Sequence, residues 1–66
     1  MRVQINGEVK DVPEGISLQS LLEHLSLPQQ RVAVELDRGV VRKADWASTV
    51  VCEDSRIEIV HFVGGG

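Results

Sequence analysis

One stretch constrains the fold more than any other. Leu18, Leu21, Leu22 and Leu25 fall at i, i+3, i+4 and i+7, the spacing of a single helix face. Ser17 precedes them as an N-cap, able to accept from backbone N–H groups of the first turn. Ile16 and Leu21 are placed to form a hydrophobic staple across that cap. Pro28 is expected to end the helix, because it has no N–H and disfavours the helical state in Leu27. A lone helix with an apolar stripe must bury it. The other extended apolar patterns read as strands, so its partner has to be one face of a sheet.

The strand signals lie on both sides. Residues 1–5 alternate, with Met1, Val3 and Ile5 against Arg2 and Gln4, as a half-buried strand does. Asn6-Gly7 is a strong two-residue hairpin signal, since both positions of a type I′ turn need positive φ. Residues 8–12 return. A two-residue loop sets Ile5 against Glu8 and Met1 against Val12. Val12 then joins the core face and Val9 points outward. Lys10 is left on the buried side, where its stem snorkels or a bulge changes the parity. Val32, Val34 and Leu36 make a third strand and Val40-Val41 a fourth. Asp37-Arg38-Gly39 is the loop between them, with Gly39 expected at the positive φ. Residues 43–48 read as a helical turn and Glu53-Asp54-Ser55 as a polar turn. The last strand is expected over 56–63, with Ile57 and Ile59 on one face and Val60 and Phe62 on the other.

Size and charge exclude several functions. With 66 residues the chain is one small domain, too small to wall a deep enzyme cleft. Phe62 and Trp46 are its only aromatics, so the core must be aliphatic, and Trp46 is expected to plug its base. A net charge of −3 with interspersed signs lacks the clustered basic face of a nucleic-acid binder. No apolar run approaches the ~20 residues that span a bilayer, and the first residues lack the apolar block of a signal peptide. A single cysteine forms no internal disulfide, and a cytoplasmic setting is expected.

Catalytic motifs are missing. No Gly-rich phosphate loop is present, and Cys52, His24 and His61 have no metal-ligand spacing. Cys52 is read as a structural strand cysteine, because Glu53 and Asp54 beside it disfavour the thiolate. His24 is read as a partly exposed helix residue and His61 as a strand-end side chain. Two features stand apart. Val60 and Phe62, with Ala33 from the third strand, make an apolar docking patch on the face away from the helix. The chain then closes on Gly64, Gly65 and Gly66. A segment without side chains can thread a channel too narrow for any Cβ and present a carboxylate to another protein's active site.

Strands, helix and Gly tail in this order resemble the ubiquitin-like sulfur carriers. The likeness covers the whole chain and is carried by Asn6-Gly7-Glu8, Pro13-Glu14-Gly15, Val32-Ala33-Val34, Trp46-Ala47 and the closing Gly65-Gly66. It implies an α+β, β-grasp fold: a mixed sheet of about five strands with one helix on one face, over residues 1–63, followed by a flexible tail at 64–66. It also implies a sulfur carrier of thiamine (thiazole) biosynthesis that is a protein substrate and not an enzyme. A ThiF-like adenylyltransferase, using ATP and Mg²⁺, would activate the carboxylate of Gly66. A cysteine desulfurase or rhodanese-type donor would supply sulfur, and thiazole synthase ThiG would accept it. The carrier itself would bind no cofactor or metal. A molybdopterin-type sulfur carrier and a ubiquitin-like protein modifier are the alternatives.

Overall fold

A computed structural model describes residues 1–62. Val63 and the expected tail, Gly64, Gly65 and Gly66, lie outside the described residues. The elements are β1 (Arg2–Ile5), β2 (Glu8–Asp11), α1 (Leu18–His24), β3 (Val32–Leu36), β4 (Gly39–Val41), a 3₁₀ helix over Lys43–Ser48, and β5 (Arg56–His61). The strands form one sheet in the order β2-β1-β5-β3-β4. β5 is therefore central. It runs parallel to β1 and antiparallel to β3. Parallel neighbours need a crossover between them, and the helix lies on the connection that supplies it.

Both hairpins are closed by two-residue loops. Asn6 and Gly7 have φ of 51° and 85°, the type I′ pattern, and the register sets Ile5 against Glu8 and Val3 against Lys10. No bulge shifts the parity. Lys10 stays on the inner side of β2, but β2 is an edge strand and all four of its residues are exposed. The Lys10 ammonium lies 3.7 Å from the Glu8 carboxylate. The second hairpin differs from expectation. Positive φ falls on Asp37 (49°) and Arg38 (74°), while Gly39 begins β4 opposite Leu36. A two-residue loop in that register fixes the left-handed positions at 37 and 38, so Gly39's conformational freedom goes unused.

The α1 N-terminus is built as its residues predict: the Ser20 amide donates to Ser17 Oγ at 3.1 Å. Its C-terminus is not set by Pro28. The helix has already ended at His24, with Leu25 as C-cap. Ser26 turns left-handed at φ 57°. Its amide donates to the Glu23 carbonyl and that of Leu27 to the Leu22 carbonyl, each at 3.0 Å. That is a Schellman motif with serine where glycine is usual.

The core lies between α1 and the sheet. Val3, Ile5, Leu18, Leu21, Leu22, Val34, Ile57 and Ile59 are buried there, as their periodicity predicts, together with Val12, Val32, Trp46 and Val51. Leu25 is half-buried against this cluster, because as the C-cap it sits at the rim of the stripe. Trp46 is buried and its indole N–H donates to the Val41 carbonyl at 2.9 Å. Residues on either side of the helix entry are tied to the strand-like segment after the 3₁₀ helix. The Leu18 amide donates to the Thr49 carbonyl and the Val51 amide to that of Ile16, which brings Val51 inward.

Candidate functional site

Among the described residues, nothing covers the sheet face opposite α1, and the last strand crosses its middle. Alternation along β5 buries Ile57 and Ile59 and turns Glu58 and Val60 outward. Ala33 is paired directly across from Val60, so two of the three residues expected to form a docking patch are cross-strand neighbours. Phe62 follows β5, and its amide continues the β3 ladder by donating to the Arg31 carbonyl at 3.0 Å. Val60 and Phe62 remain 58% and 54% exposed, a large apolar area to leave in water on adjacent outward positions.

The patch extends further than the sequence reading proposed. Val40, 72% exposed, projects from β4 opposite Glu35. Its inward neighbour Val41 is half-buried, so strand parity is the signal that would have found it. Glu35 in turn stands directly opposite Glu58, and both are exposed. Like charges directly across a strand pair are unfavourable. The face thus combines exposed aliphatic and aromatic groups with an acidic pair.

Two turn residues hold β5 in place. The Asp37 amide donates to the Arg56 carbonyl at 2.8 Å, and the Arg56 amide donates to Asp37 Oδ1 at 2.9 Å. Asn6 makes a similar set one turn further along. Its amide N–H donates to the Ile57 carbonyl at 2.9 Å. Its side chain then takes both main-chain groups of Ile59: the Ile59 N–H donates to Oδ1 at 2.7 Å, and Nδ2 donates to the Ile59 carbonyl at 3.2 Å. The β1–β5 register ends at Ile5 and Ile57. The Asn6 carboxamide therefore does for Ile59 what a further strand residue would do. Sequence reading assigned Asn6 only to the turn.

The remaining candidates are dispersed. His24 is exposed at the end of α1, and His61 is exposed at the end of β5. Cys52 is not in a strand: it is exposed in the turn before β5, where its amide donates to the buried Ser55 Oγ at 3.1 Å. The Cys52–Ser55 turn is drawn against β1, as the Arg2 amide donates to Glu53 Oε2 and the Asp54 amide to the Arg2 carbonyl, which leaves Cys52 outside the sheet. Among the described residues, no His, Cys, Asp and Glu side chains group in a way that could hold a metal ion. Among the same residues, no helix is long and apolar enough to cross a membrane.

A five-stranded mixed sheet in the order β2-β1-β5-β3-β4, with one helix on one face and the other face open, defines a β-grasp, ubiquitin-like protein. The ThiS family model matches residues 3–66, and the chain belongs to the ThiS family. It is 37% identical over 65 residues to the sulfur carrier protein ThiS of Bacillus subtilis, covering 97% of this chain and 98% of that one. The crystal structure of a thiamine biosynthesis protein (ThiS) from Geobacter metallireducens superimposes with a TM-score of 0.88 at 30% identity, covering both chains completely. The whole chain is also 39% identical to a stretch of a thiazole synthase from Magnetococcus marinus, and it spans only 20% of that protein's length.

Proposed function

We propose that this protein is a sulfur carrier of thiamine biosynthesis, acting as a protein substrate through the carboxylate of Gly66. The observation that carries this reading is the ThiS family match, which runs from Val3 through the Gly-Gly motif to Gly66. Likeness over nearly full length to a sulfur carrier protein supports it.

The chemistry follows from the carboxylate's weakness as an electrophile. A ThiF-like adenylyltransferase joins it to the α-phosphate of ATP with loss of pyrophosphate, Mg²⁺ balancing the phosphate charge. The acyl-adenylate now has AMP as a leaving group. The terminal sulfur of a persulfide, from a cysteine desulfurase or rhodanese-type donor, displaces AMP and forms an acyl disulfide. A second thiol takes the inner donor sulfur as a disulfide and frees the thiocarboxylate. That sulfur passes to thiazole synthase ThiG. Two thiazole synthases containing a stretch similar to this entire chain support that last partnership. The carrier supplies the reacting terminus and a docking face made of Val60, Phe62, Ala33 and Val40. Its Glu35–Glu58 pair suits a partner that brings basic side chains.

ATP–pyrophosphate exchange with the adenylyltransferase, followed by the mass of the sulfurated product, tests the reading. Removal of Gly66 is expected to abolish both signals, because the carboxylate retreats by about one residue, ~3.3–3.6 Å. Gly65→Val is expected to leave the fold intact and block exchange, since a β-branched side chain stiffens the backbone and fills a narrow entrance. Exchange at the original rate without Gly66 would refute the assignment.

A further inference from the structure

We infer that Asn6 is a positioning residue for activation: its carboxamide locks β5 at Ile59 and so sets the orientation in which the docking residues Val60 and Phe62 meet the partner. This rests on the function proposed above, and the geometry gives it independent support. On its β3 side, β5 is held to its end, through Val32 opposite His61 and the bond from Phe62 to Arg31. On its β1 side the strand ladder ends at Ile57. Between Ile57 and the end of β5, the described residues offer one main-chain substitute on that side, the two-point contact of Asn6 with Ile59. Val60 and Phe62, the exposed apolar pair, come immediately after it. Among the described residues, the Asn6 contact is thus the last restraint on the β1 side before the docking segment.

The carboxamide is chemically suited to this. Ile59 presents a donor and an acceptor on the same edge, and a primary amide offers the complementary acceptor and donor from one planar group. The site also needs a residue that tolerates positive φ, which asparagine does better than most side chains. Releasing Ile59 would leave the strand end held on its β3 side alone, and its orientation could then swing about that edge into positions that do not fit the partner. A carrier that fits only part of the time binds with its affinity reduced by that fraction. The loss should therefore appear in binding and not in the chemical step.

Two variants separate this from a general loss of fold. Asn6→Gly keeps the turn conformation and removes the amide. Asn6→Asp keeps an acceptor for the Ile59 N–H but sets a carboxylate oxygen against the Ile59 carbonyl. In ATP–pyrophosphate exchange with the adenylyltransferase, both are expected to raise KM for the carrier roughly tenfold and leave kcat near its original value. Amide hydrogen exchange should show lost protection at Ile59 in Asn6→Gly, with Val3, Ile5 and Val34 still protected. An unchanged KM, with Ile59 deprotected, would overturn the inference. So would loss of protection throughout the core in both variants, which would make Asn6 a folding residue only. Failure of the unsubstituted protein to support exchange would instead overturn the proposed function.

Discussion

Arg38 and Ser26 occupy left-handed backbone, at φ 74° and 57°. The left-handed region costs an L-residue ~1–2 kcal/mol, while glycine loses ~0.5–1 kcal/mol through its greater freedom when unfolded. The first effect is the larger. Arg38→Gly and Ser26→Gly are each expected to raise stability, by up to about 1 kcal/mol in denaturant unfolding. Asp37 has a similar φ and should behave oppositely, because its carboxylate accepts from the Arg56 amide. Destabilisation by Arg38→Gly would show that the loop does not need positive φ there. A turn was legible from Asp37-Arg38-Gly39, but its left-handed positions were not. Glycine permits positive φ without requiring it, and the strand register that decided the matter is non-local. The same is true of Asn6, whose side-chain partner Ile59 is 53 residues away in sequence.

At the scale of elements, α1 has 7 residues, well below the ~12–15 at which isolated helices become even marginally stable. Its cap and Schellman motif define its ends, and burial of Leu18, Leu21 and Leu22 must hold it in place. Leu22→Ala is expected to cost about 2–5 kcal/mol, a large share of the stability of so small a domain. Leu25→Ala, at the half-buried rim, should cost clearly less. Chemical denaturation checks both, and a Leu22→Ala loss below ~1 kcal/mol would mean that the helix buries another face. The apolar stripe, the Ser17 cap, the first hairpin and the parities of β1, β3 and β5 were legible, because each is a local pattern read over a few residues, whereas the parity of β2 was left open between a snorkelling Lys10 and a bulge. The helix end was obscured by serine in a position that usually takes glycine. Val51 gave no periodic signal, since what brings it inward is its bond to the Ile16 carbonyl.

At the scale of the molecule, a sheet with one helix has two faces and only one core. The buried face takes Val3, Ile5, Val34, Ile57 and Ile59, while Val40 and Val60 face outward with Ala33, and Phe62 is left exposed beyond the end of β5. Strand alternation puts core and exposed apolar side chains at adjacent residues of β5, so the fold and the proposed docking face can be perturbed independently. The Val60–Ala33 part of the patch was legible because parity gives the face and the β3–β5 pairing gives the neighbour. The Glu35–Glu58 opposition depends on exact register, which periodicity alone does not supply. Removing an exposed side chain forfeits little core burial, whereas removing a central anchor of an interface costs ~2 kcal/mol or more. Phe62→Ala is therefore expected to weaken association with the adenylyltransferase by about thirtyfold or more, while the thermal midpoint of the free protein stays close to its original value. Val60→Ala should act in the same direction with a smaller effect, having less apolar surface to lose. Calorimetric titration and thermal unfolding measure the two quantities separately. Unchanged affinity in Phe62→Ala would exclude this end of β5 from the interface, and unfolding of the free variant would return Phe62 to the core.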